Sequence, residues 1–114
     1  MVKRYVPEAG DIVWVDFSPT KGHEQAGTRP AVVITVRPFN EASGLCTVCP
    51  TTSRVKGYSN EVPISYKKEA GAVLVDQLKT IDIFARKIIR AGKLSTPELD
   101  TIRVRLALVF GIAR

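Results

Sequence analysis

The chain has 114 residues, 45% apolar and 25% charged, the composition of one folded domain over residues 1–114 with enough apolar mass for its own core. No apolar run approaches the length of a membrane span, and the opening Met-Val-Lys-Arg-Tyr-Val-Pro has no apolar signal region, so a cytoplasmic protein without membrane contact is expected. Seventeen Lys and Arg against eleven Asp and Glu leave a formal charge of +6, which suits nucleic acid, an anionic membrane or an acidic protein as partner, or a plain solvated surface, and charge alone does not choose among these.

Residues 12–17, Ile-Val-Trp-Val-Asp-Phe, read as a strand that is apolar on both faces and therefore central in its sheet. Trp14 and Phe17 are expected in the core, with base stacking as the other use of such rings. A polar loop over 22–30 follows, then a second apolar strand over 31–36. Residues 37–44 contain Pro, Asn, Ser and Gly and read as a connection. A third strand over 46–50 runs into Thr51, Thr52 and Ser53, expected just beyond its end, and a loop over 56–60. Residues 61–64 form a short strand that Pro63 places near an edge. Ala70-Gly71 turns into a strand over 72–75, ending at Asp76 and Gln77, and a further short strand is expected over 86–90.

The period changes at the end. Ser95-Thr96-Pro97-Glu98 starts a helix with a capping hydroxyl, and Leu99, Ile102, Leu106, Val109 and Phe110 recur on one face. Six to seven short strands closed by one C-terminal helix predict a mainly β protein with helical additions, a small SH3-like barrel.

The polar loop carries the densest chemistry. Between Gly22 and Pro30 lie His23, the only imidazole of the chain, with Glu24, Gln25, Thr28 and Arg29. A carboxylate beside a guanidinium can abstract a proton while the planar fork of Arg holds a phosphate; the plainer use of the pair is a surface ion pair. The hydroxyls of Thr51, Thr52 and Ser53 suit phosphate oxygens, although such residues are also ordinary turn material. Asp76 and Gln77 at a strand end suit an RNA-base contact, and Tyr58 in a Gly-flanked loop suits covering a base face or being a plain exposed tyrosine. Lys79, Arg86, Lys87, Arg90 and Lys93 form a basic run with Asp82 as its one acid. Cys46 and Cys49 have C-x-x-C spacing, but no second pair accompanies them and positions three apart on a strand face opposite ways, so one core cysteine and one on the other side are expected, with no metal site.

The order Gly10-Asp11-Ile12-Val13-Trp14-Val15-Asp16-Phe17-Ser18-Pro19, then Gly22-His23-Glu24-Gln25-Ala26-Gly27-Thr28-Arg29-Pro30, closely resembles the MazF/PemK family of toxin endoribonucleases. Pro50-Thr51-Thr52-Ser53, Lys56-Gly57-Tyr58 and Val75-Asp76-Gln77-Leu78 fall in that family's order too, so the resemblance covers essentially the whole chain. It implies a homodimeric barrel of the type also found in the gyrase-poisoning toxin CcdB. The implied activity is metal-independent, ribosome-independent, sequence-specific cleavage of single-stranded mRNA, silenced by a cognate acidic antitoxin of the MazE type. It also implies Arg29 and Thr52 as the central catalytic pair and Glu24 in a supporting or base role. Some relatives have His immediately before the Arg, where this chain has Thr28, which shifts weight from histidine to Glu24 and Arg29. The remaining candidates, Gln25, Thr28, Thr51, Ser53, Lys56, Tyr58, Asp76 and Gln77, are assigned to substrate binding, and no cofactor is expected. The rivals are a non-enzymatic gyrase poison of the same barrel type and an inactive RNA-binding module, neither of which needs Glu24, Arg29 and Thr52 together.

Overall fold

The structure, a computed structural model, describes residues 4–17, 28–66 and 69–112. Nine elements follow in order: β1 (Asp11–Asp16), β2 (Thr28–Val33), α1 (Arg37–Ser43), β3 (Leu45–Thr52), β4 (Glu61–Tyr66), β5 (Glu69–Leu74), β6 (Lys79–Asp82), β7 (Ile88–Lys93) and α2 (Thr96–Val109). The strands form one antiparallel sheet in the order β4-β5-β3-β2-β1-β7, with β6 also paired to β3. This is the mainly β, seven-stranded curled barrel with a C-terminal helix that the sequence predicts, plus one short helix it does not.

β3 makes the sheet curl. Its first part pairs with β2 on one side (Val33↔Val48, Ala31↔Pro50) and with β6 on the other (Cys46↔Ile81, Val48↔Lys79). Its last two residues pair with β5, as Thr51↔Val73 and Thr52↔Ala72, so β5 follows β6 on the edge away from β2. A strand that changes partners midway bends the sheet into two layers and separates two apolar clusters. One contains Ile12, Val32, Cys49, Val62, Val73 and Val75 and is closed by Ile102 and Leu106 of α2. The other contains Val13, Val15, Ala31, Val33, Cys46, Val48, Ile81 and Ile83, with Tyr5, Phe17 and Ile88 packed on its rim. Ile12 in one cluster and Val13 and Val15 in the other bear out the reading of β1 as a central strand, buried on both faces. Trp14 is half-buried and belongs to neither cluster, contrary to the core position expected of it.

Several boundaries differ from expectation. The expected connection over 37–44 is α1: Pro38 starts it, and Gly44 ends it at φ 75° where a Cβ would meet the Phe84 ring at 3.2 Å. Its buried residue is polar. Asn40 donates to the Pro7 and Thr35 carbonyls and accepts from Thr35 Oγ1, which pins the helix to the chain start. β2 begins earlier than residue 31 because β1 supplies partners as far as Asp16↔Thr28. β3 runs past residue 50 because β5 takes it over, so Thr51 and Thr52 are strand residues rather than the turn after a strand. β4 extends past residue 64 to Tyr66; β5 ends at Leu74, leaving Val75 and Asp76 in a turn; and β7 runs through Ala91 and Gly92 to Lys93. β4 is an edge strand, as Pro63 predicts.

α2 carries the expected capping box. Ser95 Oγ accepts from the Glu98 N–H, and the Glu98 carboxylate accepts from the Ser95 N–H. Glu98 Oε2 also accepts from the Ser65 N–H and so ties the helix start to the edge strand. Burial raises the Glu98 pKa, but the N–H donors of Ser65 and Ser95 outweigh it, and the net shift is downward. Of the predicted apolar stripe, Ile102 and Leu106 are buried whereas Val109 and Phe110 are exposed. Full burial of Ile102 stabilises the closure by about 1.5–3 kcal/mol. No helix among the described residues is long and apolar enough to cross a membrane.

Candidate RNA-cleavage site

Where β3 leaves β2, two functional candidates come to the same place. The β2–β3 register passes through Ala31↔Pro50, and one further two-residue step along each strand reaches Arg29 and Thr52. Arg29 also lies opposite Val15 of β1. By strand alternation Arg29 shares a face with Ala31 and Val33, and Thr52 with Val48 and Pro50. That is the face of the second cluster, and these two residues stand at its polar end, Arg29 exposed and Thr52 half-buried.

Two further residues reach this end. Phe17 continues β1 on the face of Val13 and Val15 and is half-buried. Lys79, opposite Val48, holds its ammonium 5.6 Å from the centre of the Phe17 ring. Guanidinium, hydroxyl, ammonium and aromatic ring thus line one end of the barrel, each from a different strand or strand end. Sequence reading placed Lys79 only in a basic run and Phe17 in the core. The signal that could have found them was parity: 13, 15 and 17 on β1 alternate together, as do 79, 81 and 83.

The threonines divide their labour. Thr51 Oγ1 donates to the Pro30 carbonyl at 3.1 Å, a staple across the point where the ladder opens. Thr52 Oγ1 accepts from the Arg54 N–H at 3.0 Å, and its own hydroxyl hydrogen remains free to donate. Gly71 lets β5 approach: a Cβ there would lie 3.1 Å from the Thr52 carbonyl oxygen. Ser53 is exposed and Thr28, opposite Asp16 at the start of β2, is also exposed. His23, Glu24 and Gln25 lie outside the described residues.

The loop after Thr52 is held by groups that the sequence does not advertise. The buried Glu61 carboxylate accepts from the Lys56 and Gly57 N–H groups, at 3.0 and 2.8 Å. Arg105, reaching from α2, donates to the carbonyls of Ser59 and Glu61. Asn60 Nδ2 donates to Asp76 Oδ1 at 2.8 Å and the Asn60 carbonyl accepts from Val75 N, so the Lys56–Tyr58 loop and the Asp76–Gln77 turn are joined. Tyr58 is 61% exposed, with the Lys56 ammonium 5.9 Å from its ring centre. An aromatic face left in solvent on an anchored loop can stack on a base without losing core packing. Asp76 and Gln77 are exposed as well, although the Asp76 carboxylate is already engaged by Asn60.

The basic run is not one face. Arg86 Nη1 donates to the Asp16 carbonyl at 2.9 Å, and Arg90 pairs with Asp11 at 3.6 Å, at opposite ends of β1. Cys46 and Cys49 face opposite ways, as alternation requires, but both are buried, one in each cluster, because each face of β3 is covered. Burial pushes the Cys46 thiol up to about 11, and burial with the charge of Asp76 pushes Cys49 up to about 12. Protonated thiols on opposite faces cannot share a metal. Among the described residues no group of three or more His, Cys, Asp or Glu is placed to hold a metal ion.

Known proteins resemble this arrangement over nearly its whole length. Residues 8–110 match the family model described as the PemK-like, MazF-like toxin of type II toxin–antitoxin systems. The chain is 44% identical over 111 residues to the endoribonuclease toxin MazF of Escherichia coli K12, covering 97% of this chain and 100% of that protein. It is 37% identical to the endoribonuclease toxin ChpB of the same organism, covering 96% and 98%. A crystal structure of MazE–MazF from Deinococcus radiodurans superposes with a TM-score of 0.86 at 37% identity, covering 96% and 99%.

Proposed function

The chain belongs to the PemK-like, MazF-like family of type II toxin–antitoxin toxins, and from that premise we propose that it is an endoribonuclease toxin whose cleavage end is the Arg29–Thr52 corner. The observation that carries the reading is the break in the β2–β3 ladder. Continued two residues past its last pair, Ala31↔Pro50, the register puts the exposed Arg29 and the half-buried Thr52 on one face at one end of the barrel, the face that also carries Lys79 and the Phe17 ring. The names of the relatives, endoribonuclease in each case, favour this over a gyrase-poisoning toxin.

The substrate is single-stranded mRNA, cut at a short sequence without the ribosome. Its 2′-hydroxyl attacks the adjacent phosphate, forming a 2′,3′-cyclic phosphate as the bond to the departing 5′-oxygen breaks. Glu24, or Arg29 in the alternative assignment, assists removal of the 2′-proton, and the departing 5′-oxygen takes a proton from water to leave as the 5′-hydroxyl. Arg29 holds two equatorial oxygens of the pentacoordinate dianion through its fork, and Thr52 donates to a phosphoryl oxygen. Lys79 adds positive charge at the same end. Tyr58, Lys56 and Gln77, with Gln25, Thr28 and Ser53, contact bases and backbone around the cut, and the Glu61, Arg105 and Asn60 hydrogen bonds keep their loop in place. Thr51 acts through its staple to Pro30.

Two protein partners complete the reading. A second copy would cover apolar residues otherwise left to water at the end of α2, among them Leu108, Phe110 and Ile112. A cognate acidic antitoxin, disordered when free, would be steered by the +6 charge and would cover the cleavage end.

The test is purified protein on naked RNA in excess EDTA. Cleavage should persist and leave cyclic phosphate and 5′-hydroxyl ends, and a strand with one 2′-deoxy sugar on the 5′ side of the cut should bind but stay whole. Cleavage that needs added magnesium, or efficient cutting of the deoxy-substituted strand, refutes the mechanism.

A further inference from the structure

At the far end of β1 from Arg29 an open cavity of about 550 Å³ is lined by Arg4, Arg37, Arg90 and Lys93 together with Glu8 and Asp11. The four cations come from three separate stretches of chain: the N-terminal segment, the start of α1 and β7. Both acids are already committed. Glu8 Oε1 accepts from the Ala9 and Arg37 N–H groups. The buried Asp11 carboxylate accepts from Tyr5 Oη at 2.5 Å and from the Glu8 N–H, and it pairs with Arg90 at 3.6 Å. Arg4 lies over the Phe84 ring, 4.7 Å from its centre. Among the described residues, Arg37 and Lys93 make no ion pair. Gathering like charges around one cavity costs stability unless an anion joins them.

We propose that this cavity is a second phosphate site, taking a backbone phosphate of the single-stranded RNA a few nucleotides from the cut. The inference rests on the endoribonuclease reading. Register puts the two sites at opposite ends of the second cluster's face. Arg90 lies opposite Val13 and Lys93 opposite Asp11, while Arg29 lies opposite Val15, so all three share one face of the sheet. Asp11 precedes Val15 by four residues, which sets the cavity about 13 Å along the strand from the cleavage end. A backbone phosphate is the group this set recognises: guanidinium forks and an ammonium, with no base-reading amide or exposed aromatic ring among the lining residues. Cations of this kind strengthen binding and set its salt dependence without reading sequence.

The experiment compares the full chain with its Arg37→Ala/Lys93→Ala double variant, both changes being at exposed positions. Anisotropy is read across a salt series on uncleaved 2′-deoxy-substituted strands, one spanning only the cut and one extended on both sides. The variant should bind the extended strand about tenfold more weakly, with a log–log salt slope shallower by about 0.7 for each phosphate it no longer neutralises. The short strand should be bound, and its all-ribose form cleaved, as by the unmodified protein. Equal weakening on both lengths, or on neither, overturns the proposal. So does a variant that fails to bind an acidic peptide or inorganic phosphate while holding extended RNA normally. Absence of cleavage by the unmodified protein would instead refute the endoribonuclease reading, and the length-dependent binding would still decide the cavity.

Discussion

Replacing Arg29 with Lys tests its proposed catalytic role apart from folding. The side chain is exposed at the end of the second cluster, so the change removes no core packing, and its backbone pairing with Val15 stays. The stability change should lie within about 0.5 kcal/mol, a melting shift of no more than about 3 °C for a domain of this size. The chemical loss is of another order. Lysine keeps the charge but holds one oxygen at a time, so the variant loses a donor that acts on the dianion only as it forms. Removing one such donor costs about 10²–10³ in kcat, or about 3–4 kcal/mol of transition-state stabilisation. Because the interaction strengthens only at the transition state, kcat and kcat/KM should fall together while KM holds. A quenched fluorescent oligonucleotide containing one cleavage site gives both constants, and a thermal melt on the same samples gives stability. Near-wild-type turnover would make Arg29 a surface cation with no part in the reaction. A drop in turnover matched by a large drop in melting temperature would make it a structural residue.

Thr52→Val should lower kcat by about tenfold to a hundredfold, whereas Thr51→Val should mainly cost about 1 kcal/mol of stability through loss of the bond to Pro30. Cleavage assays beside urea melts decide between them, and loss of turnover in a fully stable Thr51→Val would reverse the assignment. Cys46 and Cys49, with thiols pushed up to about 11 and 12, should resist iodoacetamide at about pH 8 in the native protein and both react in urea; rapid native alkylation of either contradicts their burial. Glu98 is held below its ordinary pKa, so its contribution is complete above the ordinary carboxylate range and fades as pH falls through the lowered folded value. Glu98→Gln should therefore lower the urea midpoint at about pH 7 and converge with the wild type in acid; a difference that persists unchanged at low pH would show that charge is not what the cap and Ser65 recognise.

Local patterns were enough to reveal much of this molecule. The capping box at Ser95 and Glu98 needs only residues three apart, and the edge position of β4 follows from the missing N–H of Pro63. The double-sided burial of β1 was legible because apolar residues at both parities must find cover on both faces. The residue types around Arg29 and Thr52 suggest the proposed chemistry before any fold is known. Other features depend on partners far along the chain. α1 is short and buries Asn40, a polar residue that Thr35 and the carbonyl of Pro7, 33 residues away, together make tolerable. Thr51 and Thr52 read as turn residues because their ladder partners, Val73 and Ala72, lie some twenty residues on. The two clusters of cations at opposite ends of β1 look like one run in sequence, since Arg4 and Arg37 join Arg90 and Lys93 only in space. The corner itself is tertiary: the β2–β3 ladder stops at Ala31↔Pro50 while β3 runs on against β5 along its other edge, so the ends of β2 and β3 are free to part there.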